Sequence, residues 1–66
     1  MTVETLTLSV KDFNVNAVMR ALQRSRGVQD VDVDLVENIA TVTFDETEVT
    51  SETLRRVVAG TKHESN

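Results

Sequence analysis

Three stretches of this chain alternate apolar and polar residues with period two, and two further stretches repeat at helical spacing. In residues 5–10, Leu6, Leu8 and Val10 share one face while Thr5, Thr7 and Ser9 share the other, the pattern of a half-buried strand. Val31, Val33 and Leu35 alternate with Asp30, Asp32 and Asp34, and Ala40, Val42 and Phe44 alternate with Thr41 and Thr43. After the first of these strands, Val15, Val18, Ala21 and Leu22 fall on one helical face with Met19 beside them, and Arg20, Gln23 and Arg24 lie opposite. After the third, Leu54, Val57 and Val58 form a second helical stripe. The order β-α-β-β-α leaves few topologies. Right-handed crossovers put both helices on one face of an antiparallel sheet, an α+β, ferredoxin-like βαββαβ sandwich. Residues 61–66 carry no apolar alternation, so the last strand is expected to be short or absent.

Local signals mark the ends of these elements. Asn14 is a good N-cap, with Phe13 before it and Val18 at the fourth helical position to close a hydrophobic staple. Thr50 caps the second helix in the same way, with Val49 and Leu54 as its staple and Glu52 in the first turn, where the helix dipole favours an anion. Arg24 and Arg26 suit the C-terminal end of the first helix, and Gly27 and Gly60 are read as the two stops. Glu37 and Asn38 supply the turn of a hairpin.

At 66 residues the chain reads as one domain, 1–66, and a domain this small buries only about 60% of the surface its unfolded chain exposes. It has no cysteine, so no disulfide and no thiolate metal site reinforces the apolar core. Neither a signal peptide nor an apolar run long enough to span a bilayer is present, and a soluble, cytoplasmic domain is expected. The net charge of −4 opposes attraction to nucleic acid and to anionic membrane surfaces. An RNA-binding sheet of this topology would need aromatic residues on its open face. Here Phe44 points with Val42 to the core and Phe13 staples a helix. Neither nucleic acid nor membrane is therefore expected as a partner. Nor is catalysis: there is no Ser-His-Asp set, no phosphate-cradling glycine loop and a single histidine.

The run Leu6-x-Leu8-x-Val10, the helix 15–22 and the segments 27–35 and 40–45 together resemble a heavy-metal-associated domain of the copper-chaperone and metal-transporting ATPase type. So does the segment 49–54 at the start of the second helix. The resemblance implies a ferredoxin-like fold and a role in metal transport. In that family a Gly-Met-x-Cys-x-x-Cys loop joins the first strand to the first helix, and its thiolates hold a soft ion such as Cu(I). Here Val10 and Val15 are joined only by Lys11-Asp12-Phe13-Asn14. With Asp12-Phe13 in the Gly-Met places and Asn14 in that of the second cysteine, about four residues are missing, and with them both thiolates. No family metal ligand transfers onto this sequence, and no cofactor is expected.

Met19 and His63 are the substitute soft-metal ligands the sequence offers, besides the terminal Met1. Asp30, Asp32 and Asp34 stand in a row along one strand face, which suits protection of a sheet edge better than the curled ligand loop of a calcium site. A cationic set remains: Arg20 and Arg24 one turn apart, Arg26 after them and Lys11 near the shortened loop. These four are the candidate partner-binding residues, suited to steering an acidic protein. Two readings follow. The first is a metallochaperone-like domain without its metal loop, acting as a metal-free interaction or scaffold module. The second retains metal through other ligands, or at a homodimer interface where two chains supply His63 or the aspartates and a weak last strand leaves a sheet edge to pair.

Overall fold

The computed structural model describes residues 2–64, with side chains through Lys62. The elements run β1 (Val3–Ser9), α1 (Val15–Gln23), β2 (Val28–Asp34), β3 (Ile39–Asp45) and α2 (Ser51–Gly60), followed by a 3₁₀ turn at Thr61–Glu64. Among the described residues the sheet has three antiparallel strands in the order β1-β3-β2. In keeping with a last strand that is short or absent, residues 61–64 form the 3₁₀ turn and no closing strand appears among the described residues; residues 65–66 lie outside the described range.

Cross-strand register follows the alternation. Leu6 pairs with Val42 and Val42 with Val31, while Leu8 pairs with Ala40 and Ala40 with Val33, so these rows face the helices. Thr5, Thr43 and Asp30 form an outward row, as do Thr7, Thr41 and Asp32. The core contains Leu6, Leu8, Val10, Val18, Leu22, Ala40, Val42, Phe44, Leu54 and Val58, with Phe13, Val15, Val28, Val31, Val33, Val49 and Val57 packed against it. Both caps form as the sequence suggests. Asn14 Oδ1 accepts from the Ala17 N–H at 3.2 Å, and Thr50 Oγ1 accepts from the Thr53 N–H at 3.1 Å.

Three sequence expectations need correction. Leu35 does not extend β2: it is 68% exposed in the turn of residues 35–38, and Val36 beside it is 87% exposed. The cause is Asp34, whose carboxylate accepts from the N–H groups of Val36 and Glu37 at 2.9 and 3.2 Å and pulls the backbone out of the ladder. Gly27 is not the residue that stops α1. The helix ends at Gln23, where Ser25 takes over its carbonyls by donating its hydroxyl to the Ala21 C=O and its N–H to the Leu22 C=O. Gly27 serves a tertiary approach instead. Its φ is +88°, and an added Cβ would come within 2.9 Å of Glu48 Cβ and Val49 Cγ1.

Gly60 is the last residue of α2 rather than its terminator. The chain tightens into the 3₁₀ turn, where the buried Thr61 hydroxyl donates to the Val58 C=O at 2.6 Å. At the other end of α2, the turn leading out of β3 is held by Asp45, whose carboxylate accepts from both the N–H and the hydroxyl of Thr47. Those hydrogen bonds hold the Asp45 carboxyl below its ordinary pKa.

Candidate functional site

The connection between β1 and α1 is a closed turn. Val10, just past the end of β1, is buried and anchored by donating its N–H to the Asn38 C=O at 2.8 Å. The chain then reverses: the Phe13 N–H donates back to the Val10 C=O at 3.0 Å, and Asp12 takes a left-handed backbone with φ 71°. Asp and Asn tolerate that conformation better than most side chains. Asn14 follows in extended geometry as the cap of α1. Phe13 is half-buried against the core, and Lys62, arriving from the end of α2, places Nζ 4.6 Å from its ring centroid.

This junction does not fit a soft metal. Its side-chain donors are the Asp12 carboxylate and the Asn14 amide oxygen, which already accepts from Ala17. Neither is a thiolate, thioether or imidazole, the groups Cu(I) selects. Lys11 lies within the turn and Lys62 sits over Phe13, so an arriving cation would meet two ammonium groups. Among the described residues no three His, Cys, Asp or Glu side chains are gathered as a metal site. Met19 is a lone half-buried thioether on α1, and the His63 side chain lies outside the described residues. Asp30, Asp32 and Asp34 are exposed along β2, with Asp34 engaged in its turn.

The cationic residues are brought together only in part. Arg20 and Arg24 lie over Ala17 and Ala21 on α1. A groove between the helices joins Arg24 to Arg56 across a floor that includes Ala21, Val57 and Gly60. Lys11 and Arg26 belong instead to the turns at the two ends of α1. Arg56, which sequence reasoning missed, is paired with Glu52 at 3.1 Å, but both side chains are 76% exposed, so that bond holds it loosely. Its placement beside Arg24 depends on how α2 packs on α1, which periodicity alone does not give.

The strands carry acids only, whereas the helices and turns carry both signs, with Asp12, Glu37, Glu46, Glu48, Glu52 and Glu64 among the cations. Lys11, Arg20, Arg24, Arg26, Arg55, Arg56 and Lys62, all the lysines and arginines of the chain, lie on helices and turns, whereas the ionisable residues of the strands are Glu4, Asp30, Asp32, Asp34 and Asp45. No helix among the described residues is long and apolar enough to cross a membrane.

Comparison with known families gives a match to the heavy-metal-associated domain over residues 15–64. The match begins at the first residue of α1, immediately after the shortened junction. Among solved structures, oxidized MerP from Ralstonia metallidurans CH34 superposes with a TM-score of 0.79 at 32% sequence identity, covering 89% of this chain and 88% of that one. No curated protein matches.

Proposed function

The chain belongs to the heavy-metal-associated domain family, and from that premise we propose that it is a metal-free member working as a protein-interaction module, with an acidic protein as its partner. The observation that carries this reading is the β1–α1 junction. Where the family resemblance calls for a thiolate loop there is a turn closed by the Phe13-to-Val10 hydrogen bond, capped by Asn14 and neighboured by Lys62. What the scaffold retains is a layer of two helices, with Arg20 and Arg24 over Ala17 and Ala21 and a groove between the helices that joins Arg24 to Arg56 across Ala21, Val57 and Gly60.

Although the whole chain is acidic, the helices present Arg20, Arg24 and Arg56 to a negative partner, while Asp30, Asp32, Asp34 and Asp45 lie on the opposite face of the sheet. Such an arrangement orients an encounter and raises its rate more than it adds affinity. Small floor residues such as Ala17, Ala21 and Gly60 let a partner backbone approach between the arginines.

A glutamate-rich peptide at low ionic strength is the test probe. Amide shifts are expected at Ala17, Ala21, Arg24, Val57 and Gly60, and the double variant Arg20→Glu, Arg24→Glu should weaken binding by about tenfold or more. Equal affinity in the variant, or shifts confined to Lys11 and Arg26, would overturn the assignment of this face.

A further inference from the structure

We propose that the outer edge of β1 is the pairing surface for a second copy of this chain, joining two three-stranded sheets into one continuous sheet across a two-fold axis. The inference does not rest on the metal-free reading; it starts from the ladder. The Val10 N–H donates to the Asn38 C=O, and the Glu46 N–H donates to the Thr2 C=O. The even-numbered residues of this stretch therefore bond to β3, and by antiparallel alternation Val3, Thr5, Thr7 and Ser9 turn their N–H and C=O groups outward. Among the described residues no strand lies on that side.

The two edges of the sheet are treated differently. The β2 edge carries Asp30, Asp32 and Asp34 and is broken by a register shift between Val28 and Asp30. Charges and bulges are how proteins stop an exposed edge from recruiting another strand. The β1 edge has no bulge and only one charge. Its register with β3 is unbroken from Val3 to Ser9, its sequence is Val-Glu-Thr-Leu-Thr-Leu-Ser, and Glu4 is its single ionisable residue. Threonine and valine favour strands, and the stretch has no lysine or proline to discourage pairing.

The strand is complementary to itself. In the antiparallel register that overlaps Val3–Ser9 fully with the same stretch of a second copy, Leu6 falls opposite Leu6 on the helix-facing side. Thr5 falls opposite Thr7 on the outer side, and Val3 opposite Ser9. Glu4 then faces Leu8 of the second copy and not its own counterpart, so no like charges meet across the seam. Each outward N–H finds an outward C=O. The two-fold axis stands normal to the sheet, so both helical layers stay on one side. Cross-strand Thr–Thr and Leu–Leu pairs of this kind stabilise antiparallel seams. With a net charge of −4 on each copy, pairing should strengthen as salt rises.

Sedimentation equilibrium of the intact chain from ~10 μM to ~1 mM, run beside amide hydrogen exchange, tests this. The expected result is a mass that rises toward twice that of the monomer, with exchange at Thr5, Thr7 and Ser9 slowing by about tenfold or more over the same range. Thr7→Pro removes an outward N–H and leaves the β3 ladder intact, so it should stay monomeric at all concentrations. If that variant folds poorly, Thr5→Lys with Thr7→Lys serves instead. Both positions are exposed, and the register would set lysine against lysine across the seam. A wild-type chain that remains a monomer, or a dimer whose Thr5, Thr7 and Ser9 amides exchange freely, overturns the proposal. The first result would leave the edge to a strand from another protein, and the second would place the interface on another face.

Discussion

Replacing Leu22 by alanine is expected to remove about a third or more of the folding free energy of this chain. Leu22 is fully buried on α1 and is among the largest fully buried side chains of the core. Leucine-to-alanine changes at such sites cost about 3 to 5 kcal/mol, the lost transfer energy plus that of the cavity left behind. A chain of this length holds only about 3 to 10 kcal/mol in total, at roughly 0.05 to 0.15 kcal/mol per residue. No disulfide supplements it, since the sequence has no cysteine. Urea unfolding followed by circular dichroism should show the midpoint falling by about a third or more with little change in slope. A loss under about 1 kcal/mol would mean that the two helices do not close on the sheet as described.

Restoring the missing loop should produce the second large effect, a gain of function. If residues 12–14 are replaced by a Gly-Met-x-Cys-x-x-Cys segment, the two thiolates supply the soft donors that the present turn lacks. The scaffold is expected to tolerate the longer connection, because doubling a loop costs only about 0.6 kcal/mol in closure entropy. Two local losses accompany it: the Asn14 cap, worth about 1 kcal/mol, and the packing of Phe13 beneath Lys62. Competition against a Cu(I) chelator should show affinity rising by at least about 10⁴-fold over the native chain. A grafted chain that folds yet gains no tight site would show that more than the loop separates it from metal-carrying relatives.

Much of the architecture could be read from local pattern. Leu6, Leu8 and Val10, like Ala40, Val42 and Phe44, are buried as their alternation requires, and Asn14 and Thr50 cap the helices that their positions suggest. What escaped local reading was set by groups distant in sequence or by a side chain competing with the ladder. Gly27 looked like a helix stop, but its backbone is fixed by the approach of Glu48 and Val49. Leu35 continued the alternation of β2, but the carboxylate of Asp34 captured the next two N–H groups and ended the strand.

The candidate site shows the same division. The loss of the thiolate loop was legible from the four residues between Val10 and Val15. The placement of Arg24 and Arg56 along one groove between the helices, and the seat of Lys62 over Phe13, depend on the packing of α2 against the rest. In the sequence Arg26 follows Arg24 and Lys11 stands beside the shortened loop, so all four read as one patch adjoining that loop. The fold separates Lys11 from Arg26, since α1 stands between the two turns that carry them.

The central claim, that this member of a metal-handling family holds no metal at its β1–α1 junction, is tested most directly by titrating the ¹⁵N-labelled native chain with Cu(I) under reducing, anaerobic conditions. The amide spectrum from Val10 to Met19 is expected to stay unchanged through one equivalent. Saturable shifts at one equivalent, clustered on Asp12 to Asn14 or centred on Met19 or His63, would contradict it and would identify the ligands that replace the lost thiolates.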